Sequence, residues 1–373
     1  MIGILAAAAI LALITGVYVY ILIRRIMKYT GFSSAAKAGR ITAAALAFTI
    51  VCLSFNLKTP LLIYLLHFLL FTLIVNLIFL AVNHFVKFNK DSKCSRILMI
   101  IKTFCIIPAL LTIAVSIFAR TNMNRITRTE YNIYTDKTSQ DYKILLLSDF
   151  HWATIQDTDV FINTIDKINS ENADVIILDG DITDERTSRK EMYRIFKLLG
   201  SLNSKYGIYY VYGNHDRQLY SGNPAFTREE LDLAIADSGI QILQDYGKLI
   251  TKELVIAGRE DASMNRFEKR QEISEILQGF SRDSFIIVAD HQPKNADEVK
   301  ESGADLLVSG HTHGGQIFPA GRIMDALGAF TYGKYSDGDF SVIVTSGIAG
   351  WGYSFRTERQ CEYVVINIKS GKN

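Results

Sequence analysis

Seven histidines occur in the chain, and five of them follow residue 120: His151, His215, His291, His311 and His313. Each stands in a short polar motif. The motifs are Asp149-Phe-His151, Gly213-Asn214-His215-Asp216, Asp290-His291 and Gly310-His311-Thr-His313-Gly-Gly, with Gly180-Asp181 between the first two. A solitary histidine in a turn is ordinarily just solvated. Five of five beside Asp, Asn or Gly point to one shared site. Imidazole, carboxylate and amide oxygen without sulfur suit Mn²⁺, Fe or Zn²⁺ better than Ca²⁺ or a thiolate-bound metal. The four cysteines, Cys52, Cys94, Cys105 and Cys361, have no metal-site spacing and form no disulfide framework.

These motifs need elements to hold them, and each follows a short apolar run. Lys143 to Leu147 leads to Asp149, Asp174 to Asp179 leads to Asp181, and Gly207 to Tyr212 leads to Asn214. Further strands are expected at 254–258, 284–289, 305–309, 340–345 and 362–368. Helices are expected at 157–169 and 186–202. Runs this continuously apolar need cover on both faces, which predicts sheets sandwiched between helices. The opening βαβαβ order places the polar motifs at strand C-terminal ends, where open α/β sheets form sites.

In this order the five motifs resemble the calcineurin-like metallophosphoesterase signature, over roughly residues 143–369. The domain architecture resembles the membrane-anchored branch, which includes transmembrane proteins with a metallophosphoesterase domain. The resemblance implies an αββα sandwich of two mixed sheets flanked by helices. It implies a metal-dependent hydrolase of phosphoric ester bonds with two divalent ions, Mn²⁺ foremost and Fe or Zn²⁺ as alternatives. Asp149, His151 and His313 would hold one ion. Asn214, His291 and His311 would hold the other, with Asp181 bridging. His215 would face the phosphoryl group and Asp216 would orient it. Asp184 is either a further supporting acid or a solvated turn acid or helix cap, and Asp179 and Asp290 are structural or supporting. The primary ligand set has no gap.

Gly310 to Gln316 resembles the branch that includes lipid-directed pyrophosphohydrolases. The expected reaction is therefore phosphodiester or pyrophosphate hydrolysis at the membrane, on a lipid, a nucleotide-linked lipid or an envelope precursor. A phosphomonoesterase, including a phosphoprotein phosphatase, and a non-catalytic membrane sensor are the competing readings. The glycine-rich aromatic run Gly347 to Arg356 either lines the pocket or packs as an ordinary loop. Trp152 either touches substrate or packs over the site. Arg217 and Arg356 are phosphate contacts or solvated surface residues.

The N-terminal third is of another kind. Residues 1–120 hold twelve Lys and Arg against the single acid Asp91, while the rest holds 28 against 37 Asp and Glu. An acidic catalytic part argues against a nucleic-acid partner. Four apolar stretches, at about 2–23, 41–57, 60–82 and 97–119, are read as transmembrane helices of a module ending at residue 120. Residues 121–142 read as a linker and 143–373 as the catalytic domain. The first stretch lacks a basic start and is followed by more spans, so it is a retained span rather than a signal peptide. His67 and Asn76 are either an intramembrane site or bonds to a neighbouring helix. Arg24, Arg25, Lys28, Lys37 and Arg40 in one loop, and Lys87, Lys90, Lys93 and Arg96 in another, place those loops in the cytoplasm. Lys58 stands alone in the loop between them. The expectation is a multi-pass protein of the cell membrane with an extracytoplasmic catalytic domain, with Arg120, Arg125 and Arg128 opposing that orientation.

Overall fold

The computed structural model describes residues 2–32, 37–55, 59–85 and 92–371. Lys58, Lys87, Lys90 and Asp91, which enter the charge reading above, lie outside the described residues. The chain divides into two compact units, Met1–Phe118 and Ala119–Asn373.

The first unit is helical: α1 (Ile2–Thr30), α2 (Lys37–Ser54), α3 (Leu61–Phe85), α4 (Lys93–Thr103) and most of α5 (Ile106–Met123). Among the described residues, four stretches are long and apolar enough to cross a membrane: Ala8–Thr30, Lys37–Ser54, Leu61–Phe85 and Ile106–Met123. Between 17% and 22% of each is buried, so most of their apolar surface faces outward. The expected fourth span at 97–119 is corrected in detail. Cys105, at φ 53°, breaks the helix, and α5 restarts at Ile106. Pro108 then falls in the first turn of α5, where its missing N–H has no intrahelical partner to lose. A hydropathy run carries no trace of such a dihedral break. Asn76 accepts from Arg25 Nη1 at 3.1 Å and donates to the Tyr18 hydroxyl at 3.3 Å, so it ties α3 to α1. His67 Nδ1 lies 2.8 Å from the Ile63 carbonyl of its own helix.

The second unit contains two mixed six-stranded sheets. The first runs in the order β1 (Ile126–Thr135), β12 (Cys361–Ser370), β2 (Tyr142–Leu147), β3 (Val175–Asp179), β4 (Ile208–Val211) and β5 (Gln241–Ile242). The second runs β10 (Gly333–Asp337), β11 (Phe340–Val344), β9 (Leu306–Ser309), β8 (Phe285–Ala289), β7 (Leu254–Gly258) and β6 (Tyr246–Thr251). Strands β2 to β5 are mutually parallel, as are β11, β9, β8 and β7.

Period-two alternation decides which residues fill which layer. Ile144, Leu146, Ile177 and Val211 of the first sheet meet Ile256, Ile287, Val308 and Ile343 of the second in the middle layer. Leu145, Ile176, Leu178 and Tyr210 face the other way, under α8 (Arg189–Leu199) and α9 (Arg228–Asp237). Val255, Val288, Leu307 and Val342 pack beneath α10 (Ile273–Ile276) and α11 (Ala296–Glu301). Both sheets are thus covered on both faces, which gives the αββα order. Each fully buried aliphatic side chain contributes about 1.5–3 kcal/mol.

Two expectations change here. The stretch 121–142, read as a linker, carries β1, which pairs parallel to β12 from Ile126–Cys361 to Thr135–Ser370. As an edge strand it is mostly half-exposed or exposed, so it lacks the apolar run that marks the inner strands. The helix expected at 157–169 is two short ones, α6 (Thr158–Ile162) and α7 (Ile165–Ser170). The last helix, α12 (Ala320–Ala326), follows a 3₁₀ turn at His313–Gly315.

Candidate metal centre

The candidate residues sit just beyond five strand ends, three in one sheet and two in the other. Asp149 and His151 follow β2, Asp181 follows β3, and Asn214 and His215 follow β4. His291 follows β8, and His311 and His313 follow β9. The loops interlock through the backbone. Asp149 N–H donates to Gly180 O at 3.0 Å, His151 N–H to Asp181 O at 3.0 Å, and Gly310 N–H to His291 O at 3.1 Å. Approach is close enough to exclude a side chain at Gly310, where a Cβ would lie 2.0 Å from Ser148 Oγ and 2.4 Å from Asp149 Oδ2.

The backbone is bent to bring these side chains inward. Asp149, His151, Asp181, His311 and His313 all have φ between 40° and 69°. Left-handed non-glycine residues cost on the order of 1–3 kcal/mol each and persist only where the surroundings over-determine them. Five together mark a place where local comfort has yielded to a common geometry.

Two triads result. One ligand atom from each of Asp149, His151 and His313 lies within 4.8 Å of the others, and the same holds for Asp181, His291 and His311. Asp181 joins the two sets. Its Oδ2 is 3.1 Å from His291 Nε2 and 3.8 Å from His151 Nε2. Its Oδ1 accepts the backbone N–H of His215 at 2.8 Å, the residue after Asn214. Carbonyls fix two of the imidazoles. His291 Nδ1 donates to Asp179 O at 2.7 Å and His313 Nδ1 to Ala349 O at 3.3 Å. A carbonyl only accepts, so each Nε2 keeps its lone pair for the centre.

These atoms fit cations. His151 Nδ1 and Nε2, His291 Nε2 and Asn214 Oδ1 are buried without a hydrogen-bond partner. A buried polar group left unpaired costs about 1–3 kcal/mol. One lone pair from each of these imidazoles and the Asn214 oxygen, beside the Asp149 and Asp181 carboxylates, form a donor set that a pair of divalent ions satisfies.

His215 lies alongside, its ring 5.4 Å from that of His151. Asp216 does not orient it, which corrects the expectation from sequence. The Asp216 carboxylate turns inward and accepts backbone N–H groups of Gly213 at 2.7 Å, Asp181 at 2.8 Å and Thr183 at 3.0 Å. It therefore staples the loop after β3 to the loop after β4. Burial, with the Asp181 charge beside it, pushes its pKa up to about 6. The partner of His215 is Glu185, whose Oε2 lies 2.8 Å from Nδ1. Burial works against a charged ring, but the Glu185 hydrogen bond and the nearby Asp181 outweigh it and raise the His215 pKa. Sequence reasoning passed over Glu185, although it adjoins the Gly180 to Asp184 motif. Asp184 is buried, with Oδ2 3.7 Å from His151 Nδ1 and 3.0 Å from Thr154 Oγ1.

Other candidates resolve differently. Arg217 is buried against Glu260, with bonds of 3.0 and 2.8 Å, and stacks 3.8 Å over Tyr212. Arg356 is fully buried and donates to the carbonyls of His313, Ser346, Ala349 and Gln360. Neither is a free phosphate contact or a surface residue. Asp290 is neutralised by Arg270 at 2.9 Å. Trp152 is buried in the helix-side core and donates to Glu191 at 2.9 Å. Trp351, by contrast, stands half-exposed with its ring 5.6 Å from His215, and the Tyr220 ring lies 5.2 Å from His215.

Residues 142–315 match the family described as calcineurin-like phosphoesterase. An uncharacterized metallophosphoesterase of Campylobacter jejuni is 32% identical over 235 residues, 62% of this chain and 60% of the relative. A Danio rerio transmembrane protein with metallophosphoesterase domain is 28% identical over 239 residues, 61% of this chain and 53% of the relative. The chain thus spans less than two thirds of the length of these curated relatives. A solved dimetal phosphatase from Danio rerio superposes with a TM-score of 0.37 at 11% identity, over 55% of this chain and 87% of that one. Within the second unit, residues 142–315 are a calcineurin-like phosphoesterase domain.

Proposed function

We propose that the chain is a two-metal phosphoester hydrolase acting at a membrane, on a phosphodiester or pyrophosphate of a lipid, a nucleotide-linked lipid or an envelope precursor. The observation that carries the reading is the pair of ligand triads together with the buried, unpartnered lone pairs of His151, His291 and Asn214. Asp149, His151 and His313 would hold one ion, Asn214, His291 and His311 the other, and Asp181 would serve both. Mn²⁺ is the proposed native metal. When bound, such ions supply positive charge and a water acidic enough to act as nucleophile near neutral pH.

The residues of the chain then do the rest. His215, held through Nδ1 by Glu185, presents its other nitrogen to the phosphoryl group and passes a proton to the leaving oxygen. The neighbouring carboxylate of Glu185 favours the protonated ring and aims it. Asp216 fixes the loop geometry from behind. Trp351 and Tyr220 flank His215 and offer two half-exposed aromatic faces to whatever the phosphoryl group carries.

The full chain in detergent, stripped of metal, is assayed on a chromogenic phosphodiester and the matching monoester with and without Mn²⁺. Metal-dependent cleavage favouring the diester is the expected outcome. A preference for the monoester moves the reading to a phosphatase. Metal bound without turnover of either compound or of a lipid pyrophosphate defeats the hydrolase reading in favour of a sensor.

For topology we propose that the N-terminus and the catalytic domain lie outside the cytoplasm. The support is the concentration of Arg and Lys between the first and second and between the third and fourth apolar stretches.

A further inference from the structure

Helix α12 is built in the reverse sense for water. Its polar attachments point inward. The Gly321 and Arg322 N–H groups donate to Glu358 at 2.8 and 2.9 Å, and Asp325 accepts from Tyr335 at 3.2 Å and from Thr331. The large apolar side chains of the helix and its flanks are exposed: Ile323 at 54% and Met324 at 40% within it, Phe318 at 57% before it and Leu327 at 81% after it. Trp351, 50% exposed, is tied to the same segment, since its N–H donates to Gln316 Oε1 at 2.8 Å. A helix folding against water buries its apolar stripe and exposes its polar one. A helix resting on lipid does the opposite.

We propose that α12 with its flanking residues docks this domain into the headgroup boundary of the bilayer. Three observations select lipid as the occupant. Among the described residues four helices are long and apolar enough to cross a membrane, and the last of them, Ile106–Met123, ends within the second unit. Its final turn is bonded to the loop that clamps α12. Asn122 Nδ2 donates to Arg356 O at 3.2 Å and Arg359 O at 2.8 Å, and Arg356 N–H donates to Ala119 O at 3.3 Å, while Glu358 of that loop holds α12. The surroundings also carry basic groups: Arg120 and Arg125 are exposed, as is Arg322 beside its Glu358 partner at 3.8 Å, which suits anionic headgroups. Docking does not depend on the hydrolase reading. Its consequence does: α12 begins seven residues after His313, so the docked domain holds its site at headgroup level.

The test uses the full chain with exposed Cys52 and Cys94 replaced by Ser and a nitroxide on Leu327→Cys. A second preparation carries the label on Leu249→Cys, which is also outward-facing but lies on β6. Both are placed in nanodiscs of phosphatidylcholine with phosphatidylglycerol, one chain per disc. Collisional accessibility to oxygen should exceed that to an aqueous nickel chelate at 327, and the order should reverse at 249. Nickel access at 327 equal to that at 249 overturns the proposal. Protection that arises only when two chains share a disc also overturns it, in favour of self-association. Turnover of a soluble diester is measured on the same samples. Loss of docking with turnover intact sinks this inference alone, and loss of turnover with docking intact sinks only the hydrolase reading.

Discussion

At the scale of single residues, two neighbouring acids of similar chemistry take different tasks because of where each can reach. Asp216 adjoins His215 in sequence, yet its short side chain is spent on three backbone N–H groups. Glu185 comes from another loop and is long enough to meet Nδ1. Replacing Asp216 by Ala leaves those donors unsatisfied, and a hydrogen bond to a charged group is worth about 1.5–3 kcal/mol. Asp216→Ala is therefore expected to lower the denaturation midpoint of the metal-free protein clearly, while Glu185→Gln leaves it nearly unchanged. Turnover should divide them the other way. His215→Ala should lose on the order of 10²–10⁴ in kcat, as expected for a lost proton donor. Glu185→Gln should fall in between, with metal content unchanged in both when measured by elemental analysis. For Asp181→Asn, we expect loss of activity together with loss of at least one metal equivalent, because its Oδ2 faces a histidine of each triad. Full activity in that variant is incompatible with the two-metal assignment.

At the scale of elements, the site depends on strand ends from both sheets meeting with left-handed loops between them. Such loops are intolerant of volume. Gly310→Ala would drive a methyl into Ser148 Oγ and Asp149 Oδ2. The expected result is a folded protein with reduced metal affinity, read by titration with Mn²⁺ and by far-ultraviolet circular dichroism. Normal affinity would mean that the loop after β9 moves more freely than its hydrogen bonds indicate. Strand β12 is the central tie, since β1 lies on one side of it and β2 on the other. Cys361 at its start is fully buried, and burial raises its thiol pKa. It should resist alkylation until β12 is released.

At the scale of the whole molecule, an acidic metal-binding domain follows a basic, apolar helical unit. Ions that bind only the folded state add stability by mass action, about 2.7 kcal/mol at one hundred times the dissociation constant. Removing metal by dialysis against a chelator should lower the melting temperature of the second unit's transition, and Mn²⁺ should restore it. No change on chelation would argue that the buried lone pairs are satisfied in some other way. The orientation proposal has its own measurement: a reporter fused after residue 373 should be active outside the cytoplasm, and activity only inside it reverses the topology.

The sequence by itself determined much of this protein. Continuous apolar runs such as Ile144 to Leu147, and Val175 to Leu178, have only one comfortable environment, a strand covered on both faces. The histidines stand at the ends of such runs, so the candidate residues and their positions just beyond strand ends were legible together. The outward apolar helices were legible for the same reason: burial preference is carried by composition. The tertiary structure decided whatever depends on direction. Strand β1 has too little buried surface to announce itself, and it forms because Ile126 to Thr135 finds β12 near the far end of the chain. Arg217 and Arg356 are buried because carboxylate and carbonyl partners from distant loops surround them. The partner of His215 followed from loop path rather than from adjacency. The reversed polarity of α12 is visible only once Glu358 shows which side faces in. Local sequence sets what a residue prefers, and long-range packing sets which neighbour it meets.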